Sequence, residues 1–251
     1  MVGESGSQGE KRCVGDGQGR AILLDFDHTL FDTDRFFWGD LRAAVLGLGV
    51  DGRLWEETYE AVWPGGYSID RHVEALAARI SWPHPQQILD VFEDQFADLR
   101  PYLFPDVLPF LEAARRAGRP VVLLSFGDPG WQAFKVKASG LEPHVGAVHA
   151  TAAEGGKADL AAALAGAGPA VAPTRGEAPA PAIAIDNNPR ELDAMRDRCP
   201  ALTTYRMDRV PPELVGAQGE AAYRFREARR YVGLPARHPH RPCHSLAEVA
   251  L

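Results

Sequence analysis

The fold of this chain is decided by the stretch Ala21-Ile22-Leu23-Leu24-Asp25-Phe26-Asp27. Its apolar run is unbroken, which is typical of a strand buried on both faces of a parallel sheet. Asp25 and Asp27 follow the run two positions apart, so their side chains leave the backbone on the same side if strand geometry continues. The pattern predicts a buried strand that ends at a polar site.

Two later apolar runs end in a similar way. Val121-Val122-Leu123-Leu124 leads into Ser125, and Ala182-Ile183-Ala184-Ile185 leads into Asp186. Helical patterns alternate with these strands, which predicts an α/β fold with a Rossmann-like, mostly parallel sheet flanked by helices. Ligands bind beyond the carboxyl ends of such strands. We therefore expect Asp25, Ser125 and Asp186 to face one crevice.

The remaining pattern divides the chain into regions. Between the first two strands, apolar residues repeat at helical spacing with breaks at Gly and Pro, which predicts an all-helical cap. The ends are rich in Gly, Ser, charge, His or Pro, so we expect them to be flexible. The predicted regions are a leader at 1–19, a core at 20–32 and 101–233, a cap at 33–100, a mobile loop at 165–181 and a tail at 234–251.

Composition limits the classes of function. The formal net charge of -7 argues against nucleic acid or an anionic membrane as the main partner. The three cysteines are far apart, and no stretch is long and apolar enough to span a bilayer. We expect a cytoplasmic protein with free thiols, either a monomer or a homodimer.

Several polar residues have both a chemical and a structural interpretation. Asp25 and Asp27 repel each other unless a cation such as Mg²⁺ neutralises them, although a capping pair in a turn is the simpler alternative. Ser125 and the backbone amide of Phe126 are suited to binding a phosphoryl oxygen, although Ser125 is equally typical of a helix cap. Lys157 opens a helix, a position where most lysines are solvated.

Taken in order, these motifs resemble those of the haloacid dehalogenase-like hydrolases. Leu23 to Leu30 is similar to the family's first motif, a strand followed by Asp-x-Asp-x-Thr, and Val121 to Ser125 is similar to the second. Lys157 lies where the third motif places its lysine, and Ile183 to Asp186 resembles the acidic fourth motif. The resemblance covers about residues 21 to 206 and extends to a cap inserted between the first and second motifs.

The resemblance implies a magnesium-dependent phosphatase that acts on a small phosphorylated metabolite. Asp25 would attack phosphorus, and Asp27 would protonate the leaving oxygen and then activate water. Mg²⁺ would bind the Asp25 carboxylate, the Asp27 carbonyl and Asp186. The catalytic set implied is Asp25, Asp27, Ser125 and Lys157, and the phosphate-binding set is Thr29, Ser125, Phe126 and Lys157.

Some assignments stay open at this point. The second acidic metal ligand is Asn187, Glu191 or water, and Lys135 and Lys137 compete with Lys157 for the lysine role. A phosphoryl transferase or mutase and a non-catalytic binding protein are the alternative functions. The family's dehalogenases lack an acid at the position of Asp27, which makes dehalogenation a poor alternative. The cap tryptophans Trp38, Trp55, Trp63 and Trp82 are expected to form the cap's own core rather than a substrate site.

Overall fold

A single parallel sheet forms the centre of the molecule. The computed structural model describes residues 20–153, 155–166 and 182–251. Six strands follow the order β3-β2-β1-β4-β5-β6, so the prediction of a Rossmann-like α/β fold is confirmed. The predicted leader at 1–19 and residues 167–181 of the predicted loop lie outside the described residues. The strands are β1 Ile22–Leu24, β2 Val121–Phe126, β3 Ala147–Thr151, β4 Ile183–Asp186, β5 Thr203–Met207 and β6 Arg241–Cys243.

The central position of β1 explains its uniformly apolar sequence. It pairs in parallel with β2 on one side and with β4 on the other. Ile22 and Leu24 pack into the larger apolar core on one face of the sheet, while Leu23 packs into the smaller core on the opposite face. Successive positions of the strand are therefore buried under opposite layers of helices. This burial on both faces explains why all three residues before Asp25 are apolar.

Helices cover both faces of the sheet. Each of the helices after β2 and β4 begins with a proline and is preceded by a side chain that caps its first turn. Asp128 accepts from the Trp131 amide, and Asn188 accepts from the Arg190 amide. The core helices are α5 Val107–Arg116, α6 Pro129–Ala138, α7 Lys157–Gly166 and α8 Pro189–Arg198.

The segment at 33–100 lies between β1 and β2 in the chain, and none of its residues belongs to a strand. Its helices surround an aromatic cluster in which Phe37 stacks on Trp55 with ring centroids 5.4 Å apart. His72 is buried against Trp55, and burial lowers the pKa of His72 to about 4 despite a hydrogen bond with the Trp55 carbonyl. The helical stretches are Arg35–Leu41 (π-helical), α1 Arg42–Gly47, α2 Gly52–Val62, α3 Ile69–Ala77 and α4 Pro85–Gln95.

The prediction that the cap tryptophans form the cap's own core rather than a substrate site fits Trp55, whereas Trp38 and Trp63 also line the cavity described below. Trp38 and Trp55 are buried in the apolar core, and Trp63 is half-buried against it. Trp82, in contrast, is 65% exposed and contributes little to the core.

The prediction of a flexible tail was wrong. Within 234–251, strand β6 extends the sheet by pairing with β5, and Leu246 and Val249 are buried in the larger core. Asp106 holds this segment by accepting hydrogen bonds from the Ser245 hydroxyl and the Leu246 amide. Strand β6 lies at the edge of the sheet, where one side makes no strand pairing within the described residues, and it can therefore contain a proline. Because proline is rare in strands, this residue argued against a strand in the sequence.

The segment after β5, which the sequence patterns assigned to the core, contacts the helical cap. Helix α9 (Glu220–Tyr223) and the turn Ala228–Arg230 pack against the cap. Arg226 donates to Glu56 and Glu60 on α2 at 2.8 and 3.0 Å. Within the described ranges, no helix combines the length and apolar character needed to cross a bilayer.

Candidate active site

A cavity of about 410 Å³ lies beyond the carboxyl ends of β1, β2 and β4, between the sheet and the helical cap. This volume falls in the range of small-molecule sites, roughly 300 to 1,000 Å³. Asp25, Ser125 and Asp186 all line it, as the ends of the apolar runs predicted. The other predicted site residues that line it are Asp27, Phe126 and Lys157.

Asp25 is held at the floor of the cavity from two sides. Thr29 Oγ1 donates to Oδ2 at 2.9 Å, and Lys157 Nζ donates to Oδ1 at 2.6 Å. Burial and the negative charge of Asp186 raise the pKa of Asp25, while Lys157 opposes this shift. Thr29 is fully buried and does not line the cavity. Its hydroxyl therefore orients Asp25, which differs from the predicted contact with phosphate.

The three candidate lysines have separate positions. Lys157 Nζ bridges Asp25 and Asp186, lying 2.7 Å from Asp186 Oδ2. Burial disfavours its charge, but attraction to Asp186 and Asp25 prevails and raises the pKa of Lys157. Lys135 is also buried but contacts Asp27, and Lys137 is exposed on the surface of α6. The geometry thus places Lys157 where the third-motif lysine was predicted.

Asp27 is bound by three donors. Lys135 Nζ and Thr33 Oγ1 donate to Oδ1 at 2.5 and 2.6 Å, and Gln132 Nε2 donates to Oδ2 at 3.1 Å. Burial would raise the pKa of Asp27, but attraction to Lys135 and the hydrogen bonds from Lys135 and Thr33 outweigh it and lower the pKa. In this structure Asp27 is therefore a carboxylate, the form suited to accept a proton. Gln132 was not identified from the sequence, because a glutamine within a helix is ordinarily a solvent-exposed residue without a functional role.

The loop after β2 is built so that Gln132 can reach Asp27. Gly127 has a φ of 131°, in the left-handed region, and a Cβ built there lies 2.9 Å from Gln132 Nε2. Gln132 also donates to the Phe126 carbonyl at 2.8 Å, and the Gly127 amide donates to Thr151 O at 3.0 Å. Any larger residue at Gly127 would displace the amide group that contacts Asp27.

Several buried polar atoms of the residues that line the cavity have no hydrogen-bond partner among the described residues, and two of them belong to residues at or directly after the carboxyl ends of β2 and β4. The Ser125 hydroxyl and the Asn187 side-chain nitrogen are both buried and unpaired. An unpaired buried polar group costs about 1–3 kcal/mol, so such groups commonly await a ligand. Both lie beside Asp25 in the lining of the same cavity. They can supply hydrogen bonds to an anion bound there.

The donor set at the cavity floor fits magnesium better than a softer metal. Four carboxyl groups, those of Asp25, Asp27, Asp186 and Glu191, accompany two lysines, Lys135 and Lys157, so the acidic groups outnumber the basic ones by two. No group of three or more His, Cys, Asp or Glu side chains in the described part of the chain is arranged to hold a metal ion. Mg²⁺ needs only one or two carboxylates, with water and substrate completing its shell. Asp25 and Asp186 supply that number.

Glu191, one of the candidates for the second acidic magnesium ligand, lies in the same cavity as Asp186. Glu191 lines the cavity, and its Oε1 accepts from the Gly155 amide at 2.6 Å. Asp186 Oδ1 accepts from the Asn188 amide at 2.8 Å, which orients its carboxylate. Burial raises the pKa of Asp186, Lys157 lowers it, and Glu191 raises it. Glu191 is therefore close enough to act on the charge of this site.

The cap side of the cavity contains residues that the sequence patterns did not reveal. Glu227 and Tyr231 reach it from the segment after β5, and Gln132 and Trp131 reach it from α6. Glu227 follows a helical turn in a stretch dominated by arginine, where a glutamate is most simply explained as a surface ion pair. Only the packing of this segment against the cap brings it to the cavity.

Fold and site together define a class of protein: a Rossmann-like α/β protein with an aspartate at the end of its central strand and a helical cap over that aspartate. The haloacid dehalogenase-like hydrolase family model matches residues 22–183, well over half of the 251 residues. This chain therefore belongs to the haloacid dehalogenase-like hydrolases. Comparison with curated proteins gave no significant match.

Several solved structures are similar in fold. A haloacid dehalogenase-like hydrolase from Burkholderia xenovorans has a TM-score of 0.65 and 21% identity, over 93% of this chain and 100% of that one. L-2-haloacid dehalogenase from Xanthobacter autotrophicus, with chloropropionic acid covalently bound, has a TM-score of 0.58 and 16% identity, over 92% and 96%. YfnB from Bacillus subtilis, bound to magnesium, has a TM-score of 0.53 and 11% identity, over 92% and 96%. At these identities the similarity concerns the fold alone.

Proposed function

We propose that this protein is a magnesium-dependent phosphatase that cleaves small phosphomonoesters through an aspartyl-phosphate on Asp25. The observation that carries the proposal is the presence of a second carboxylate, Asp27, in the same cavity as the oriented Asp25. Hydrolysis of a phosphate ester requires a proton for the leaving oxygen and a base for water, and Asp27 is placed to serve both needs. The dehalogenases among the structural neighbours do not extend their reaction to this chain, because the similarity is one of fold.

In the first step an oxygen of Asp25 attacks phosphorus, and the bond from phosphorus to the ester oxygen breaks. Lys157 and the unpaired Ser125 hydroxyl face the transferring group and offset its charge. Asp27 takes up a proton as the ester binds and then donates it to the departing alkoxide. Its contact with Lys135 favours the ionised form, but the negative charge of an arriving phosphate raises the pKa of a neighbouring carboxyl.

In the second step water attacks the aspartyl-phosphate. Asp27, now a carboxylate, takes a proton from this water, and the bond from phosphorus to Asp25 breaks to release inorganic phosphate. The three hydrogen bonds from Lys135, Thr33 and Gln132 fix the orientation of this base. The products are the free alcohol and phosphate; Asp25 is again free, and Asp27 holds the proton taken from water, which replaces the one it gave to the alkoxide.

Magnesium, when bound by Asp25 and Asp186, would neutralise the excess negative charge and draw electron density from the phosphoryl oxygens. Both carboxylates are already oriented by Lys157, since this lysine contacts each of them. The backbone carbonyl of Asp27 remains the predicted third protein ligand.

The test is phosphate release from a broad panel of phosphorylated metabolites, with magnesium and with excess chelator. We expect release that requires magnesium, because the four carboxyl groups at the cavity floor outnumber the two lysines, and the described residues that line the cavity include no arginine and no further lysine. Release that is equally fast in excess chelator would contradict the metal's role. Release of halide from a haloacid, without phosphate release from any ester, would contradict the proposal.

A variant of Asp27 tests its two roles separately. Asp27→Asn should lower kcat for alkyl phosphates by roughly 10²- to 10⁴-fold, the usual contribution of a general acid or base. An aryl phosphate with a good leaving group needs little protonation, so its first step should survive. We therefore expect a burst of the phenol followed by slow turnover, measured by rapid mixing. Equal losses for both esters, without a burst, would show that Asp27 has only a structural role.

A further inference from the structure

Aromatic rings line the cap side of the cavity; five of them form one contiguous group, and the sixth, Trp63, contacts Phe126. Phe37 lies 4.9 Å from both Trp38 and Tyr59 and 5.0 Å from Tyr67, measured between ring centroids. Tyr67 in turn lies 5.4 Å from Trp131. Phe37 is nearly perpendicular to Trp38 and to Tyr67. The guanidinium groups of Arg226 and Arg230 lie over the rings of Trp38 and Trp63, 4.0 and 5.2 Å from their centroids. We call Phe37, Trp38, Tyr59, Trp63, Tyr67 and Trp131 the aromatic wall; all of them line the cavity.

Glu227 interrupts this apolar surface. It lines the cavity, is only 5% exposed, and its Oε1 atom has no hydrogen-bond partner. Its other oxygen, Oε2, lies 2.9 Å from Arg230 Nε, while Arg226 Nε lies 3.6 Å from Oε1. Burial raises the pKa of Glu227 to about 7, Arg230 lowers it, and Asp34 raises it. The carboxylate is therefore incompletely compensated on its cavity side.

Glu227 lies within a network of charged side chains. Its amide donates to Asp34 Oδ1 at 2.8 Å, so a second buried carboxylate lies directly behind it. Both arginines that contact Glu227 are shared with α2, since Arg226 binds Glu56 and Glu60 and Arg230 binds Glu60. The four carboxyl groups of this network, Asp34, Glu56, Glu60 and Glu227, face the three arginines Arg42, Arg226 and Arg230, and His28 Nδ1 lies 3.5 Å from Asp34 Oδ2.

Aromatic faces beside a partly compensated carboxylate are the surroundings that bind an organic cation. We infer that the substrate is the phosphomonoester of a small cationic amino alcohol, whose ammonium or quaternary ammonium group lies against the aromatic wall and Glu227. The inference rests on the proposed phosphatase function and assigns the second half of the same cavity. The phosphate would lie at Asp25, Ser125 and Lys157, and the cation at the opposite, cap-facing end. A neutral aromatic ester would leave Glu227 Oε1 buried without a partner.

Two esters of the same shape separate charge from size. Phosphocholine and 3,3-dimethylbutyl phosphate differ by a positively charged nitrogen in place of a neutral carbon, and phenyl phosphate adds a neutral ring. With wild-type protein and magnesium, kcat/KM for phosphocholine should exceed that for the isostere by at least about tenfold, because only the cation is attracted to ring faces and a desolvated carboxylate. This comparison needs no variant.

A pair of variants then assigns the preference to one carboxylate. Glu227→Gln keeps the side-chain shape and removes the charge, so the ratio of the two kcat/KM values should fall by about tenfold, toward unity. Glu60→Gln is the matched control. Glu60 binds the same two arginines but does not line the cavity and is 44% exposed at its side chain, so the ratio should change by less than about twofold.

The outcomes are distinct. A wild-type preference for the cation that Glu227→Gln removes and Glu60→Gln keeps supports the inference. Equal or better hydrolysis of the isostere or of phenyl phosphate overturns it, while the proposed phosphatase function stands. No magnesium-dependent phosphate release from any of the three esters, or from the metabolite panel, overturns both.

Discussion

Replacing Asp25 by asparagine should reduce kcat for every phosphomonoester by at least about 10⁴-fold, the scale of loss when a covalent nucleophile is removed. The amide preserves the volume of the side chain and keeps one oxygen that can accept from Lys157, while its NH2 group can donate to the Thr29 hydroxyl. Because burial and Asp186 already disfavour the ionised form of Asp25, as its raised pKa shows, a neutral residue should not destabilise the fold. The expected result is a folded, inactive protein, measured by phosphate release and by thermal unfolding in chelator.

Asp159→Asn is the matched control for this variant. Asp159 lies on α7, two residues after Lys157, but its side chain is 78% exposed and pairs with Arg198 at the surface. The same chemical change there should leave kcat within about twofold of the wild type, since exposed ion pairs contribute little. If Asp25→Asn kept a tenth or more of the wild-type activity, the nucleophile would have to be another group.

The floor of the site could be predicted from sequence because it depends on strand ends. Asp25 and Asp186 follow apolar runs that are buried on both faces, and parallel pairing places their carboxyl ends side by side. Lys157 could be assigned only through the resemblance to a family, since a lysine at a helix start is ordinarily solvated. The structure shows the physical reason for its burial: it lies between two carboxylates.

The cap side of the site could not be predicted in the same way. Glu227 reaches the cavity through tertiary packing of a short segment against α2, and such contacts between distant segments leave no periodic pattern. Thr29 was predicted to contact phosphate, but its side chain turns toward Asp25 because the chain folds back after Asp27, where the His28 amide bonds the Phe31 carbonyl at 2.8 Å. Local turn geometry decided this, and the residue types alone did not specify it.

The tail shows a different limit of the sequence. Arg241-Pro242-Cys243 has neither the length nor the apolar alternation of a predicted strand, yet it pairs with β5 along the edge of the sheet. Beyond it, Leu246 is 1% exposed and packs in the larger core. A few buried residues are enough to fix this segment to the core. The average composition of the tail, which is rich in His, Pro and Arg, therefore wrongly indicated flexibility.

Leu246→Ala should therefore lower the free energy of unfolding by about 2–5 kcal/mol, the range for removing a buried leucine side chain and leaving a cavity. This is a large part of the total stability of a domain, about 5–15 kcal/mol. Denaturation by urea, followed by circular dichroism, measures the change. Leu251→Ala is the control on the same tail, because Leu251 is 41% exposed and its loss should cost less than about 0.5 kcal/mol.

The same contacts connect the tail to the active site, which gives the stability prediction a functional consequence. Arg209 donates to both oxygens of Asp106, which holds Ser245 and Leu246, and also to the carbonyl of Thr29 at 3.0 Å. Thr29 in turn orients Asp25. Deletion of 234–251 should thus destabilise the fold and lower phosphatase activity together, whereas a truncated protein with wild-type stability and turnover would show that β6 and the buried leucine contribute nothing to the core.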